Sequence, residues 1–273
     1  MKTAVLLFGD YRQFEKASIS YEVFKYMDVD FFISTWDKVT LYHKHLEEYT
    51  ENITDYRVNK FLPKNAVFHS IVNEDLHKDL TVTEKMIYHW KVLGRALKQS
   101  TVKYDCVCLL RIDFYIQSFN YEELILEAHS NKLHVGYGGY KEEEGEFYNI
   151  ADVSYSGKPE IVLDYIDRIP LAPIGCHYDF GCIVQYSHIE PEFQKSIIGM
   201  LVRPLTGTLI GPDHKYNVEL LADCFESVVL LSSIYNKWLH SFTYGTPTPL
   251  TFKEYIVHFK EHIENFKLED NEK

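Results

Sequence analysis

Short apolar runs set the framework of this chain. Residues 3–8 (TAVLLF), 29–35 (VDFFIST), 66–71 (AVFHSI) and 106–110 (CVCLL) have the length and residue types of strands. Between the first two, Phe14, Ala17, Tyr21 and Phe24 recur at helical spacing, which predicts a strand-helix-strand unit. Thr81 and Glu84 form a capping box ahead of Met86, Trp90, Leu93 and Leu97, so an amphipathic helix delivers the chain to the strand at 106. Residues 41–60 are polar, and the His43-x-His45 pair there reads as part of a solvated helix rather than a metal site.

The later segments continue the alternation. Asn120 is placed to cap a short helix to 128, residues 132–137 return as a strand, and residues 141–146 (KEEEGE) read as a charge-rich loop. Gly157-Lys158-Pro159 opens a helix to about 169 with proline at its first position; residues 180–186 are an apolar strand, and Pro191 starts another helix. Residues 218–231 and a capped stripe of Phe252, Ile256, Phe259, Ile263 and Phe266 predict C-terminal helices. The sum is an α/β chain: one domain over residues 1–267 with a mainly parallel, Rossmann-like sheet flanked by helices, then a charged tail at 268–273.

Residues 103–118 (KYDCVCLLRIDFYIQS) are central. The apolar run suits a strand covered on both faces, and the alternation after it places Arg111, Asp113 and Tyr115 on one side of a continuing strand. In an open α/β sheet ligands bind beyond the carboxyl ends of the strands, so an Arg-x-Asp at such an end is either a ligand-binding pair or an ordinary surface ion pair. Gly9 stands at the first turn with Arg12 beside a helix start, an arrangement suited to a phosphate or a uracil carbonyl; no GxGxxG is present, which disfavours a dinucleotide. Trp36 and Asp37 end the second strand, as a ring platform with a hydroxyl acceptor or as a core residue with a helix cap. Lys91 and Arg95, one helical turn apart, are solvated charges or face a diphosphate; His177 and Asp179 are a divalent-ion pair or a hydrogen-bonded one. Gly136 to Gly139 marks a close backbone approach or a turn.

Composition narrows the function classes. The 273 residues are 46% hydrophobic and 25% charged, as in a globular protein, and the formal net charge of -12 argues against nucleic acid as a partner. Five cysteines without a paired framework favour free thiols, with Cys106 and Cys108 as small core residues. No stretch reaches the ~20 apolar residues of a membrane helix, and no leader is evident, so a cytoplasmic location is expected.

Four stretches in this order carry a family resemblance: Phe8-Gly-Asp-Tyr-Arg12, Asp30-Phe-Phe-Ile-Ser-Thr-Trp-Asp37, Tyr104-Asp-Cys-Val-Cys-Leu-Leu-Arg-Ile-Asp113 with the helix before it, and Asn149-Ile-Ala-Asp152 with Ser156-Gly157. Together they span about residues 4–160, and they resemble the small GT-A-type glycosyltransferases and glycosyltransferase-like proteins of large viruses and phages. The resemblance implies transfer of a sugar from a UDP- or GDP-sugar to a glycan or other hydroxyl acceptor. It implies that Gly9, Tyr11 and Arg12 line the nucleotide end, that Trp36 and Asp37 contact base or ribose, and that Arg111 and Asp113 meet the diphosphate. It further implies a Mn²⁺ or Mg²⁺ ion at Asp113, with His177, Asp179 or His188 completing the shell, and Asp152 as the base on the acceptor side. Where the family carries Asp-x-Asp, this chain reads Arg111-Ile112-Asp113. The alternatives are a non-catalytic nucleotide-sugar or glycan-binding protein on the same fold, and a sugar nucleotidyltransferase.

Overall fold

The computed structural model describes residues 1–11, 14–42, 48–136, 141–143, 146–148, 153–169 and 191–201. The chain divides into two compact units, Met1–Leu41 with Tyr49–Leu201, and Tyr42–Glu48 with Val202–Lys273. Apart from Tyr42 and Glu48, the second unit, which contains the expected C-terminal helices, lies outside the described residues; so does the expected strand at 180–186.

In chain order the described residues form β1 (Thr3–Gly9), α1 (Phe14–Ala17) running into a 3₁₀ helix (Ser18–Phe24), and β2 (Val29–Trp36). Then come β3 (Lys38–Tyr42), β4 (Glu48–Asn52), α2 (Asp55–Asn59), β5 (Phe68–Val72) and, after a 3₁₀ turn at Glu74–His77, α3 (Val82–Gln99). The remainder is β6 (Cys106–Arg111), β7 (Phe114–Phe119), α4 (Tyr121–His129), β8 (Leu133–Val135), β9 (Lys141–Glu143), β10 (Glu146–Tyr148), β11 (Ser154–Gly157), α5 (Pro159–Arg168), β12 (Pro191–Phe193) and β13 (Ile197–Leu201).

Seven strands form the main sheet in the order β12-β8-β11-β6-β1-β2-β5, all parallel except β11, which runs opposite to both neighbours. The expected mainly parallel α/β sheet with flanking helices is present. Its central strands are largely apolar because both faces are covered. Val5, Leu7, Phe31, Ile33, Cys108 and Leu110 pack on one side with the 3₁₀ helix and α4; Ala4, Leu6, Phe8, Phe32, Val107 and Leu109 pack on the other with α3 and α5. Trp90 of α3 anchors the second face, fully buried with its ring 5.3 Å from Phe8 and 5.4 Å from Tyr155. Cys106 and Cys108 are free, buried thiols.

Local signals explain most boundaries. The Thr81 hydroxyl accepts from the Glu84 amide and the Glu84 carboxylate accepts from the Thr81 amide, closing the capping box on α3. Asn120 caps α4 through the amides of Glu122 and Glu123, and Pro159 starts α5. Gly136 meets the expectation of close approach: a side chain there would stand 1.9 Å from Ser154 Oγ.

Four expectations are corrected. The strand through 118 is two strands: β6 stops at Arg111, Ile112 and Asp113 turn, and β7 pairs antiparallel with β13 in a separate ribbon. Alternation cannot reveal such a change of partner, since both pieces keep period two. Pro191 opens a strand and not a helix; β12 lies at the sheet edge, where a first residue without an N–H breaks no ladder. Among the described residues of the polar stretch 41–60, only Asp55–Asn59 is helical, while Tyr42 belongs to β3 and Glu48–Asn52 forms β4; Lys141–Glu143 and Glu146–Tyr148 pair antiparallel as β9 and β10 where a loop was expected. Among the described residues no helix is long and apolar enough to cross a membrane.

Candidate functional site

The connectivity locates the crevice. From β1 the chain steps outward to β2 and β5; α3 then carries it back to β6 on the other side of β1. The strand order therefore reverses between β1 and β6, and the gap beyond the carboxyl ends of two such strands is where α/β sheets take ligands. Gly9 and Arg111 stand at those two ends, with Phe8 paired to Arg111 in register. Gly9 has φ +108°, a left-handed conformation that favours glycine, and a Cβ built on it would meet none of the described residues within 4 Å. Among the described residues, the backbone thus borders open space at the reversal.

Arg111 and Asp113 form a forked ion pair: Nε donates to Oδ1 at 3.0 Å and Nη2 to Oδ2 at 2.9 Å. The turn at Ile112-Asp113, and not the alternation of one strand, brings them face to face. The carboxylate is the buried partner, with 2% of its side chain exposed against 17% for Arg111. Backbone bonds fix the turn on both sides, Ile112 N–H to Phe8 C=O at 2.8 Å and Arg111 N–H to Val153 C=O at 2.8 Å.

A residue that the sequence did not single out holds this turn from below. The hydroxyl of Tyr21 lies 3.3 Å from the carbonyl oxygens of both Arg111 and Ile112 and donates to them. Burial, and then the nearby charge of Asp113, push the Tyr21 phenol well above its ordinary pKa, so it stays a donor. Next to it Ser20 accepts from the Ile116 amide at 2.9 Å. The 3₁₀ helix after β1 is therefore the cradle of the Arg-x-Asp turn. The available signal was a tyrosine on an apolar stripe, since a buried phenol needs a hydrogen-bond partner.

The other candidates scatter. Tyr11 is fully buried against Phe14, its hydroxyl 3.3 Å from Glu15, with the Arg57 guanidinium 5.0 Å from its ring centre. Arg57 in turn is bound to Glu15 and Glu51. Trp36 is 4% exposed in a ring cluster with His77, Tyr88 and His89, and Lys85 lies 5.6 Å from its ring centre. Asp37 accepts from the Glu74 amide at 3.0 Å, so this pair has the geometry of a core tryptophan with a helix-capping aspartate. Lys91, read as a solvated charge or one facing a diphosphate, donates to the carbonyls of Ile166 and Asp167 at 2.6 and 2.9 Å, closing the C-terminal end of α5. Arg95 is an exposed residue of α3. Arg12, Asp152, His177, Asp179 and His188 lie outside the described residues.

Of the expected metal ligands only Asp113 is therefore described, and as placed it does not fit that role: both its oxygens accept from Arg111 and almost none of its surface is exposed. Among the described residues there is no group of three or more His, Cys, Asp or Glu side chains that could hold a metal ion.

No protein-family model and no curated protein matches this chain. Solved structures do. It is similar to a protein from STIV at 9% identity, covering 74% of this chain and 85% of that one, with a TM-score of 0.39. It is similar to the galactosyltransferase LgtC in complex with donor and acceptor sugar analogues at 11% identity, covering 82% and 96%, with a TM-score of 0.42. An active-site mutant of LgtC follows at 13% identity, 71% and 67% coverage and a TM-score of 0.37. No residue role is carried from them to this chain.

Proposed function

We propose that this chain is a nucleotide-sugar-dependent glycosyltransferase of GT-A type, taking a sugar from a UDP- or GDP-sugar to a glycan or other hydroxyl acceptor. The observation that carries the reading is the meeting of Gly9 and the Arg111–Asp113 pair where the strand order reverses. Glycine lets a ligand approach the backbone, and a guanidinium held in a fork matches the oxygens of a phosphate.

In the transfer, the bond between the anomeric carbon and the diphosphate oxygen breaks, its electron pair remaining on the diphosphate. The acceptor oxygen bonds to the anomeric carbon, and the hydroxyl proton passes to a base if the transfer inverts configuration. Asp152 is proposed for that base: Val153 beside it in sequence is bonded through its carbonyl to the Arg111 amide. A preformed cation near the leaving oxygens stabilises charge that grows only as the bond breaks.

Incubation with a panel of nucleotide sugars, following release of the nucleoside diphosphate, tests the reading without knowledge of the acceptor, since slow transfer to water reveals the donor. One donor class should be consumed. Consumption of none, with no nucleoside diphosphate bound, would leave a glycan-binding protein as the better account. Release of pyrophosphate from a nucleoside triphosphate and a sugar phosphate would instead indicate a nucleotidyltransferase.

A further inference from the structure

We infer that Glu127 is a positioning residue for the Arg111–Asp113 turn: its buried carboxylate clasps the chain at residues 194–196 and so fixes the β7–β13 ribbon into which that turn leads. The inference rests on the glycosyltransferase reading and deepens it.

The chain passes from the main sheet into the ribbon twice. It goes from β6 to β7 through the turn at Ile112-Asp113, and from β12 to β13 through residues 194–196. The ribbon is antiparallel, with Leu201 opposite Phe114 and Ile197 opposite Phe119, so the turn lies at one end and the second crossing at the other. The hold on residues 194–196 therefore sets how the ribbon leaves the sheet, and Phe114 at its other end follows Asp113 directly.

Glu127, in the last turn of α4 and only 2% exposed, supplies that hold. One of its oxygens accepts from the amides of Lys195 and Ser196 at 2.7 and 2.9 Å; the other accepts from the Ser196 hydroxyl and, at 2.6 Å, from the hydroxyl of Ser156 in β11. An ionised carboxylate only accepts, so it suits a place where two amides and two hydroxyls converge, and bonds to a charged oxygen are stronger than neutral ones. Further bonds meet at the same crossing. The Asn120 amide donates to the Ser196 carbonyl at 2.8 Å, the Gln194 amide to the Val135 carbonyl at 2.9 Å, and the Ser154 hydroxyl to Gln194 Oε1 at 2.7 Å. Ser154 follows Val153, whose carbonyl accepts from the Arg111 amide, so the clasp reaches the turn from the sheet side as well as through the ribbon.

The experiment compares Ser196→Ala with Ser156→Ala in the full chain, by amide hydrogen exchange and by nucleotide-sugar turnover. Each deletes one hydroxyl from the same oxygen of Glu127, so each should lower the melting temperature by a similar amount. Only Ser196 lies on the crossing. Ser196→Ala should speed exchange of residues 111–119 about 10-fold and lower turnover several-fold, with β1 and β2 exchanging as before. Ser156→Ala should do neither, whereas a merely structural carboxylate would make the two variants alike. Glu127→Gln keeps the shape but sets an NH₂ group among donors, and should resemble Ser196→Ala. Equal loss of turnover in the two serine variants would overturn the inference, as would unchanged exchange at residues 111–119 in both Ser196→Ala and Glu127→Gln. If the unaltered protein consumes no nucleotide sugar, the functional reading falls by itself, and the exchange comparison still decides whether Glu127 holds the turn.

Discussion

The carboxyl ends of β1 and β6 and the carboxyl end of β2 sit side by side on one sheet and use similar residues to different ends. At β1 and β6, Gly9 meets none of the described residues within 4 Å of an added Cβ, and Arg111 forks onto the buried Asp113. At β2, Trp36 is enclosed by His77, Tyr88 and His89, and Asp37 is spent on an amide of the next turn. Polar and aromatic residues at a strand end are thus not enough to mark a site. What separates the two regions is the strand order: β1 and β6 flank the reversal, whereas β2 lies between β1 and β5 away from it.

The sharpest way to break this contrast is to remove Arg111. Arg111→Met should lower turnover of the preferred nucleotide sugar at least about 100-fold and, by leaving the buried Asp113 carboxylate unpaired, destabilise the fold by about 3–5 kcal/mol; adding Asp113→Leu removes that buried charge and should restore the thermal midpoint but not the turnover. The opposite pattern is expected at the β2 end. Trp36→Ala should destabilise the fold by about 3–5 kcal/mol, measured by denaturant unfolding, and any activity that survives should keep its affinity for the diphosphate.

Tyr21→Phe is the intermediate test, since it deletes the hydroxyl and keeps the ring. It should cost about 1 kcal/mol and reduce turnover several-fold, because the turn carrying Arg111 loses its support. Retained turnover would show that the backbone bonds to Phe8 and Val153 hold the turn unaided.

His89 gives the β2 region a pH signature. Its Nδ1 lies 2.7 Å from Ser34 Oγ, and burial followed by His77 lowers its pKa to about 3. The folded state therefore resists protonation that the unfolded chain accepts near the ordinary value of about 6.5. Stability from this group is complete above about pH 6.5 and falls as the pH drops toward 3, by at most ~1.4 kcal/mol per pH unit. Unfolding measured across that window in His89→Asn should show a shallower acid slope. Lys91→Met should have the smallest effect, about 1 kcal/mol from the carbonyls at the end of α5, with diphosphate binding unchanged.

Much of the fold was legible before the structure. The runs at 3–8, 29–35 and 106–110 became β1, β2 and β6, and the capping box at Thr81 and the proline at 159 marked true helix starts. These signals are local: a run covered on both faces must be apolar, and a helix start must satisfy its own amides. The site was legible only in part. Arg111 and Asp113 were visible as a pair, but the turn that joins them, and the Tyr21 hydroxyl that fixes the turn, depend on groups 90 and 91 positions apart in the chain. Lys91 looked the same as any helical cation until α5 was found to end beneath it.

The sequence by itself determined the buried strands β1, β2 and β6, the starts of α3, α4 and α5, and that a cation and a carboxylate lie two positions apart, because capping and burial patterns act over a few residues. Only the tertiary structure decided that β6 inserts beside β1 on the side away from β2, that Arg111 forks onto a buried Asp113 across a turn, and that Trp36 and Lys91 are taken up by the scaffold. Those outcomes depend on which distant groups meet. The energy of a buried polar group is set by the partner it finds, and spacing along the chain does not carry that information.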